Sequence, residues 1–424
     1  MNNSNKKTGI LIITASAALI LIIAFIVLFR KPSQIDGFES AVTTIDNISI
    51  PEGTRIVALG EATHGNKEFQ ELKLQVFRTL VESSNVKALV LEGDFGGCAL
   101  VNDYIQGGDG DPEELVNHLG YRIYRTEQMF ELIKWMRSYN ETAAEEDRVR
   151  IYGMDIQNDT DDKIYISNFY RIVDENKGAD YTARMDELLG DSYDTYDKSR
   201  YDDIIALMDE IGKDLSDNGD MYAAVASPEA LERACIAADV IKYFMELEVK
   251  VTDYNKYRDT QMKELVDRIL ALEESEYGSE IMIACHNGHM TENNSSRFTY
   301  LGSFLNEDYG EGYFSIGTDY YYTDDNLPGT NGRTIQHFCS GDPLAYQVGS
   351  MPEEAYYLDF RNVDPDSPVG RVINSSIRTG SLGEDYNFMY KLMKAYCTLK
   401  YPPTEMYDAM ILYYEVTPTE IWEQ

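Results

Sequence analysis

The sequence predicts an α/β protein: a mainly parallel sheet with flanking helices and a large helical insertion, preceded by one amino-terminal transmembrane helix. Three observations lead to this prediction. Short apolar segments recur along the chain, and each ends in an acidic residue or a histidine. Segments with helical periodicity lie between them, as in βαβ units. A long apolar run without charge stands near the amino terminus.

The apolar run near the amino terminus covers residues 9–29 and is flanked by lysines before it and by Arg30 and Lys31 after it. Its length is what a helix needs to cross a bilayer. No small-residue cleavage site follows it, which favours an uncleaved signal anchor over a signal peptide. We therefore predict a single-pass anchor over residues 1–31 in the cell membrane, with the large following domain outside the cytoplasm. The positive charges of Arg30 and Lys31 argue against that orientation.

The bulk composition is that of a folded, acidic chain of 424 residues. A hydrophobic content of 43% and 32 tyrosines are typical of a folded protein. The formal net charge of −36 repels nucleic acid, so we predict no nucleic-acid partner. The five cysteines are scattered without CxxC spacing, which indicates neither a disulfide framework nor a zinc finger.

The elements of the main domain, predicted over residues 49–424, follow a linker and lead-in over residues 32–48. Its stretch from about 160 to 276 is rich in Asp, Glu, Lys and Tyr, lacks strand-like runs and is predicted as a largely helical insertion. A glycine-rich tight turn is predicted at 93–97. Predicted helices cover 67–83 and 126–139, and predicted strands lie within 57–65, 88–94, 149–155, 281–289, 312–317 and 409–416.

Polar side chains stand at the ends of four predicted strands. Because ligands bind outside the carboxyl ends of strands in an open parallel sheet, we expect these side chains to face one crevice if the strands are neighbours. Three of the five histidines fall here, which a purely structural role would seldom produce; His118 and His337 are interpreted as structural. The six side chains are Glu61, His64, Glu92, Asp155, His286 and His289.

Three chemistries fit these residue types. In the first, a neutral histidine acts as general base on water, and Glu61 or Glu92 orients its ring. A second histidine or an arginine then stabilises the oxyanion. In the second, two histidines and two carboxylates bind a metal ion. In the third, a serine or cysteine nucleophile acts with a histidine. The third is the weakest, because no GxSxG motif is present and Cys285 is expected to be a buried, inert thiol. The residues alone do not separate the first two.

At these residues the chain resembles the erythromycin esterase family, over about residues 50–420. No single motif is specific, but their order and spacing together are. The matching segments are LGEATHG at 59–65, LVLEGD at 89–94, RTE to WMRSYN at 125–140, YGMDIQ at 152–157, YRDTQM at 257–262, HNGHM at 286–290, YGEGYFSIGTDY at 309–320 and YDAMILYYEVTPT at 407–419.

The resemblance implies a hydrolase that opens macrolide lactones, as antibiotic-resistance esterases do, without a required metal; no cofactor is expected. It implies His64 as the general base, with Glu61, Glu92, His286 and His289 at other polar positions of the cleft. Arg258 matches a basic position and would stabilise an oxyanion. Three further residues are predicted on the substrate side: Lys73, Asp155 and Tyr124, which stands where the family usually has a tryptophan.

The leading hypothesis is therefore a membrane-anchored esterase that opens an ester or macrolide lactone with water activated by His64. A cleft lined by the tyrosine-rich insertion would suit a large hydrophobic substrate. A metal-dependent hydrolase in the same crevice is the nearest alternative. A surface protein that binds carbohydrate or peptide without turnover is the alternative from another class, and the clustered histidines and acids argue against it.

Overall fold

The computed structural model describes residues 31–189, 198–293, 300–329, 332–384 and 386–423. The predicted transmembrane run 9–29 lies outside the described residues. Among the described helices, none combines the length and the apolar character needed to span a membrane.

The described residues contain ten strands and sixteen α-helices. The strands are β1 (Ile56–Glu61), β2 (Val86–Asp94), β3 (Arg150–Asp155), β4 (Glu280–His286), β5 (Tyr313–Gly329), β6 (Gly332–Cys339), β7 (Ala355–Asp359), β8 (Ile377–Gly380), β9 (Thr398–Tyr401) and β10 (Ala409–Val416). The helices are α1 (Phe38–Ala41), α2 (Lys67–Ser83), α3 (Phe95–Ile105), α4 (Pro112–Leu115), α5 (Glu127–Asn140), α6 (Thr160–Val173), α7 (Glu175–Leu189), α8 (Tyr201–Asp217), α9 (Gly219–Val225), α10 (Pro228–Val249), α11 (Tyr254–Glu276), α12 (Asn287–Met290), α13 (Leu301–Tyr309), α14 (Ala345–Val348), α15 (Pro368–Ile373) and α16 (Met389–Leu392).

The central sheet has the strand order β3-β2-β4-β1-β5-β10-β7, with β6 paired to the far part of β5. The six strands from β3 to β10 run parallel, whereas β7 is antiparallel to β10 and β6 is antiparallel to β5. The four polar-ended strands are neighbours, as the predicted crevice requires, since β3, β2, β4 and β1 are consecutive. Their register places Glu61 opposite His286, and Asp94 opposite Asp155.

Strand β1 shows why these sequences form a covered sheet. All six of its residues are buried. Ile56 and Ala58 pack into a hydrophobic core on one face, and Val57 and Leu59 pack into a second core on the other. Because successive side chains of a strand point to opposite faces, a continuous apolar run suits a sheet that helices cover on both faces.

The insertion predicted at 160–276 is largely helical in its described part and consists of α6 to α11. Its last helix, α11, is fixed to the sheet by Glu273, whose carboxylate accepts hydrogen bonds from Arg150 at 2.7 and 2.6 Å and from Tyr152 at 2.6 Å. All three side chains are buried. This contact holds the helix whose opposite end carries Arg258.

Two stretches differ from the prediction. Residues 93–97 are the end of β2 and the first turn of α3 rather than a separate tight turn. A glycine is required there, because a Cβ at Gly97 would stand 1.6 Å from the backbone oxygen of His118. Strand β5 also runs far beyond the predicted 312–317, and its far part pairs antiparallel with β6. In that part buried and partly exposed residues alternate, which is typical of a strand with one face towards solvent.

The carboxyl-terminal cap, defined here as residues 377–384 and 386–401, contains β8, α16 and β9. Strands β8 and β9 form a separate two-stranded antiparallel sheet. The cap is attached beside the end of β1, where the backbone N–H of Leu382 donates to the oxygen of Ala62 at 2.9 Å. This attachment brings the cap next to the carboxyl ends of the parallel strands.

Candidate active site

A cavity of about 470 Å³ lies at the carboxyl ends of the four polar-ended strands. The strand ends and the residues directly after them supply one part of its wall, and the segment before α5, α11 and the cap supply the rest. The lining includes His64, Glu92, Tyr121, Ile123, Tyr124, Gln157, Asn255, Arg258, His286, Gly288, His289, Ser381, Gly383, Glu384, Tyr390, Tyr396 and Leu399.

The first half of the site is a chain of three side chains from β1, the turn after it and α2. Nδ1 of His64 lies 2.7 Å from Oε1 of Glu61, and Nζ of Lys73 donates to Oε2 of Glu61 at 2.5 Å. Glu61 and Lys73 are buried, whereas the side chain of His64 is 12% exposed at the cavity. With Nδ1 held by Glu61, the ring nitrogen that remains for a ligand is Nε2.

The electrostatics of this chain keep Glu61 ionised and His64 basic. Burial would raise the pKa of Glu61, but Lys73 and the hydrogen bond from His64 outweigh it and lower the pKa to about 2. Burial would lower the pKa of His64, but the hydrogen bond to Glu61 and its negative charge raise it above the ordinary value. Of the two predicted orienting carboxylates, Glu61 is the one in contact with His64.

The second half of the site is organised by Arg258 of α11. Its Nε donates to Oδ1 of Asp155 at 2.8 Å, and Nη2 donates to Oδ2 of Asp155 at 2.5 Å and to Oε1 of Glu92 at 2.7 Å. Nη1 lies 2.9 Å from Nε2 of His289. Three of its five N–H groups are thus donated to carboxylates, and the two hydrogens of Nη1 lie beside His289 at the cavity.

His289 is enclosed by charges. Its Nδ1 lies 2.9 Å from Oδ1 of Asp259, and its Nε2 lies 3.2 Å from Oε1 of Glu92. Burial alone would lower the pKa of His289, but Glu92 and Asp259 raise it to about 10 against the opposing charge of Arg258. His289 is therefore an imidazolium at neutral pH, because three carboxylates face only one other cation here. In that state Nε2 carries a hydrogen and cannot accept one from Arg258, so the 2.9 Å approach of Nη1 is a contact between two donors that the negative charge of Glu92, 3.2 Å from Nε2, offsets.

His286 has a different character from its two neighbours. Its backbone N–H donates to Oε2 of Glu92 at 2.8 Å, its Nε2 donates to the oxygen of Leu382 at 3.2 Å, and its Nδ1 accepts from the N–H of Gly288 at 3.1 Å. Burial, with the positive charge of His64, lowers the pKa of His286 to about 4. Both ring nitrogens are therefore occupied in a neutral imidazole that joins the cap to the site. Its ring lies 5.0 Å from that of His64.

Tyrosines form much of the remaining wall. The hydroxyl of Tyr124 donates to the backbone oxygen of Glu92 at 2.9 Å, and the hydroxyl of Tyr121 donates to Asp155. In the cap, the rings of Tyr390 and Tyr396 stack with centroids 5.7 Å apart. The insertion contributes Asn255 and Arg258 to the lining. The expectation that tyrosines of the insertion line the cleft is therefore wrong, because the lining tyrosines come from the segment before α5 and from the cap.

The structure brings all the predicted site residues together, but not all of them reach the cavity. Lys73 and Asp155, predicted on the substrate side, lie behind the wall and bind Glu61 and Arg258 respectively. Both are almost fully buried, at 2% and 1% exposed. Their geometry favours a supporting role over substrate contact. Tyr124, the third predicted substrate-side residue, does line the cavity.

The two other chemistries considered for these residues were a metal site and a serine or cysteine nucleophile. Within the described parts of the chain, no three acidic, histidine or cysteine side chains are arranged to hold a metal ion together. Cys285 is buried in the hydrophobic core, and burial raises the pKa of its thiol well above the ordinary value. A thiol in that state is a poor nucleophile.

Sequence reasoning missed two contributions to the site. One is Asp259, which pairs with His289 and accepts hydrogen bonds from the backbone N–H groups of Tyr300 and Leu301. Its position next to Arg258 in the YRDTQM segment was the available signal. The cap carried no signal, because its aromatic residues have no spacing that relates them to the strand ends.

Comparisons with known proteins give relatives of the whole domain and of parts of it. A stretch of 103 residues is 32% identical to erythromycin esterase type II of Escherichia coli, and it covers 24% of this chain and only 24% of that enzyme. The YbfO protein of Bacillus subtilis is 22% identical over 345 residues, which are 73% of this chain and 75% of that protein.

Solved structures share the fold at low sequence identity. A crystal structure of a Bacillus cereus protein superposes with a TM-score of 0.73 at 21% identity and covers 92% of this chain and 100% of that one. A mutant of erythromycin esterase EreC in its open conformation superposes with a TM-score of 0.60 at 16% identity, covering 88% and 93% of the two chains. The sequence profile of erythromycin esterases matches residues 81–416. Since that match spans most of the chain, the protein belongs to the erythromycin esterase family.

Proposed function

We propose that this family member opens an ester or lactone bond with a water molecule that His64 activates. The observation that carries the proposal is the chain from Lys73 through Glu61 to His64, which leaves Nε2 of His64 at the cavity. A carboxylate on Nδ1 fixes the tautomer in which Nε2 accepts a proton. The raised pKa of His64 makes it a stronger base than a free imidazole.

The reaction proceeds by addition and elimination. Nε2 of His64 takes a proton from water while the water oxygen bonds to the carbonyl carbon, and the carbonyl electron pair becomes an oxyanion. Nη1 of Arg258 and the imidazolium of His289 supply positive charge for that oxyanion. The carbon–oxygen bond to the leaving alkoxide then breaks, and the alkoxide takes the proton from His64. The products are a carboxylic acid and an alcohol, which stay on one molecule when the substrate is a lactone.

The substrate we favour is a large apolar ester, with a macrolide lactone as the first candidate. The tyrosines of the cavity wall offer ring surface for such a molecule. The relatives named erythromycin esterases share the family with this chain. Aryl esters of small acids are the comparison class, because they would use the base and the oxyanion donors without filling the cavity.

The uncharged segment near the amino terminus suggests where in the cell the enzyme is located. We propose that residues 1–31 anchor the enzyme in the cell membrane as a single-pass signal anchor, with the hydrolase domain outside the cytoplasm. The uncharged run 9–29 between basic residues supports it. Protease added to intact cells should digest the domain, and digestion only after lysis would place the domain in the cytoplasm.

The test of the reaction uses the full-length chain, its His64→Ala variant and a His337→Ala control. His337 is an exposed histidine paired with Asp324 away from the cavity, so its loss should leave turnover unchanged. Each protein is incubated with a macrolide panel and with aryl esters, and products are followed by mass spectrometry. We expect a gain of one water by the wild type and the control but not by His64→Ala.

A chelator arm separates the main proposal from the metal-dependent alternative. Turnover that persists after chelator treatment supports the metal-free base. Turnover that disappears and returns with added divalent metal would overturn it in favour of a metal site. Tight binding of a macrolide without any turnover, equal in the wild type and His64→Ala, would instead identify a binding protein.

A further inference from the structure

Asp325 is a buried carboxylic acid for which the proposed reaction has no use. It lies on the far part of β5, opposite Gln336 of β6, and its exposure is 0%. Within the described residues, neither of its side-chain oxygens has a hydrogen-bond partner. A carboxylate without donors is costly to bury, so the neutral acid is the favoured form.

The carboxyl group of Asp325 packs on the turn that carries His64. A Cβ at Gly65 would stand 2.1 Å from Oδ1 of Asp325, so the acid occupies the space where a side chain would begin. The backbone of Asn326 completes the contact, since its N–H donates to the oxygen of Gly65 at 3.3 Å. Asp325 is thus within electrostatic reach of His64 and Glu61 without a hydrogen bond to either.

We propose that Asp325 is a positioning residue for His64, kept protonated so that the turn of the base packs against a neutral acid. This role rests on the proposed function, in which His64 must become neutral to accept a proton from water. One carboxylate, Glu61, already favours the imidazolium through Nδ1. A second carboxylate beneath the same turn would favour the imidazolium further and lower the fraction of His64 that is neutral and able to act as a base.

Burial decides the charge of Asp325, because the groups that face it oppose one another. Burial raises the pKa of Asp325 to about 8; the carboxylates of Glu384 and Glu61 add to this rise, and the cations His64 and Arg333 oppose it. Arg333 is itself neutralised by Glu384 at 2.7 Å. Asp325 is therefore mostly neutral at pH 7 and ionises in mildly alkaline solution.

A pH titration of the His64 resonance should show the ionisation of Asp325 as a separate step. The first step is the loss of the imidazole's own proton. A second, separate step should appear near pH 8, where Asp325 ionises and its new negative charge lies beside the ring. Asparagine has the shape of aspartic acid but cannot ionise, so Asp325→Asn should remove the second step and leave the midpoint of the first in place.

The experiment is a nuclear magnetic resonance titration of the full-length chain with isotope-labelled histidine, from about pH 5 to about pH 10. The five histidines give few signals, and that of His64 is assigned by its loss in His64→Gln. The matched control is Asp324→Asn, the neighbouring residue, whose half-exposed carboxylate pairs with His337 at 2.8 Å. We expect the second step near pH 8 in the wild type and in Asp324→Asn, and its absence in Asp325→Asn.

Two results would overturn the role of Asp325. One is a wild-type His64 signal with a single step. The other is a first midpoint that falls in Asp325→Asn, which would mean that Asp325 is a carboxylate at neutral pH. If Asp325→Asn does not fold, Asp325→Ser removes the acid with a smaller side chain and gives the same reading. The titration needs no turnover, so the role of Asp325 and the proposed hydrolysis can fail separately.

Discussion

Nδ1 of His64 lies 2.7 Å from the carboxylate of Glu61, which is the last residue of β1 and stands three positions earlier in the chain. The turn between them brings the imidazole back over the strand end. Because the other oxygen of Glu61 binds Lys73 of the following helix, one βα unit provides the base, the group that orients it and the balancing cation. The rest of the site faces this unit from α11 and the neighbouring strands.

The pH dependence of the reaction should report the pKa of His64. His64 acts only when neutral, and contact with Glu61 raises its pKa above the ordinary 6.5. Activity should therefore rise as the pH rises through this raised pKa, with an acid midpoint above pH 6.5 in a profile of kcat/KM. It should fall again near pH 10, where His289 loses the proton whose charge stabilises the oxyanion. In Glu61→Gln the acid midpoint should move to lower pH, because the group that raises the pKa is gone. A wild-type midpoint near pH 4 would point to His286 instead.

Lys73→Met should cost stability and kcat rather than substrate affinity. It leaves Glu61 buried with His64 as its remaining partner, and removal of one member of a buried ion pair costs about 3 kcal/mol or more. We expect that loss in urea unfolding and a lower kcat with KM changed little. The control is Lys67→Met on the same helix, whose exposed pair with Glu71 is worth at most about 1 kcal/mol. A large rise in KM with kcat intact would restore Lys73 as a substrate contact.

Arg258→Lys should be far from conservative. The guanidinium holds Asp155 through two nitrogens and reaches Glu92 and His289 as well, which a single ammonium group cannot do. We expect kcat to fall about 100-fold, in line with the loss of an oxyanion donor. Steady-state kinetics at one pH checks this, and a kcat within threefold of the wild type would contradict it.

The control for Arg258→Lys is Arg184→Lys. Arg184 makes a similar two-nitrogen contact with Glu210, at 2.9 and 2.7 Å, but on the exposed surface of the insertion. Its replacement should change neither kcat nor stability measurably, because exposed ion pairs contribute little.

Tyr396→Ala should discriminate between large and small substrates. Tyr396 lines the cavity, stacks on Tyr390 and is 55% exposed, so its loss should not unfold the domain. We expect KM for a large apolar ester to rise about fivefold and KM for a small aryl ester to stay the same, since a ring contact is worth about 1 kcal/mol. Phe388→Ala is the control, because Phe388 is an exposed ring of the same cap that is absent from the cavity wall. Equal effects on both substrates would contradict a contact with the large ester.

The fold and the location of the site were largely predictable from local patterns. Fully apolar segments marked the strands, and helical periodicity placed one helix at 67–83, the bounds that the structure has. Because parallel strands in one sheet share their carboxyl edge, the acid or histidine at each strand end predicted one common site. Four of these side chains, those of His64, Glu92, His286 and His289, line the cavity, whereas Glu61 and Asp155 lie behind its wall.

The roles within the site were decided by tertiary structure. Lys73 is a cation in the sequence, and only its burial against Glu61 makes it a support rather than a substrate contact. Arg258 binds Asp155, which is 103 positions away in the sequence, and Asp259 pairs with His289. Both contacts depend on how α11 packs on the sheet, where Glu273 fixes the opposite end of the helix to Arg150. The extended far half of β5 likewise brings Asp325 beneath Gly65. The periodicity of a segment predicts which face of a helix or strand a side chain occupies. Which side chain it contacts on another element depends on how elements distant in the sequence pack together.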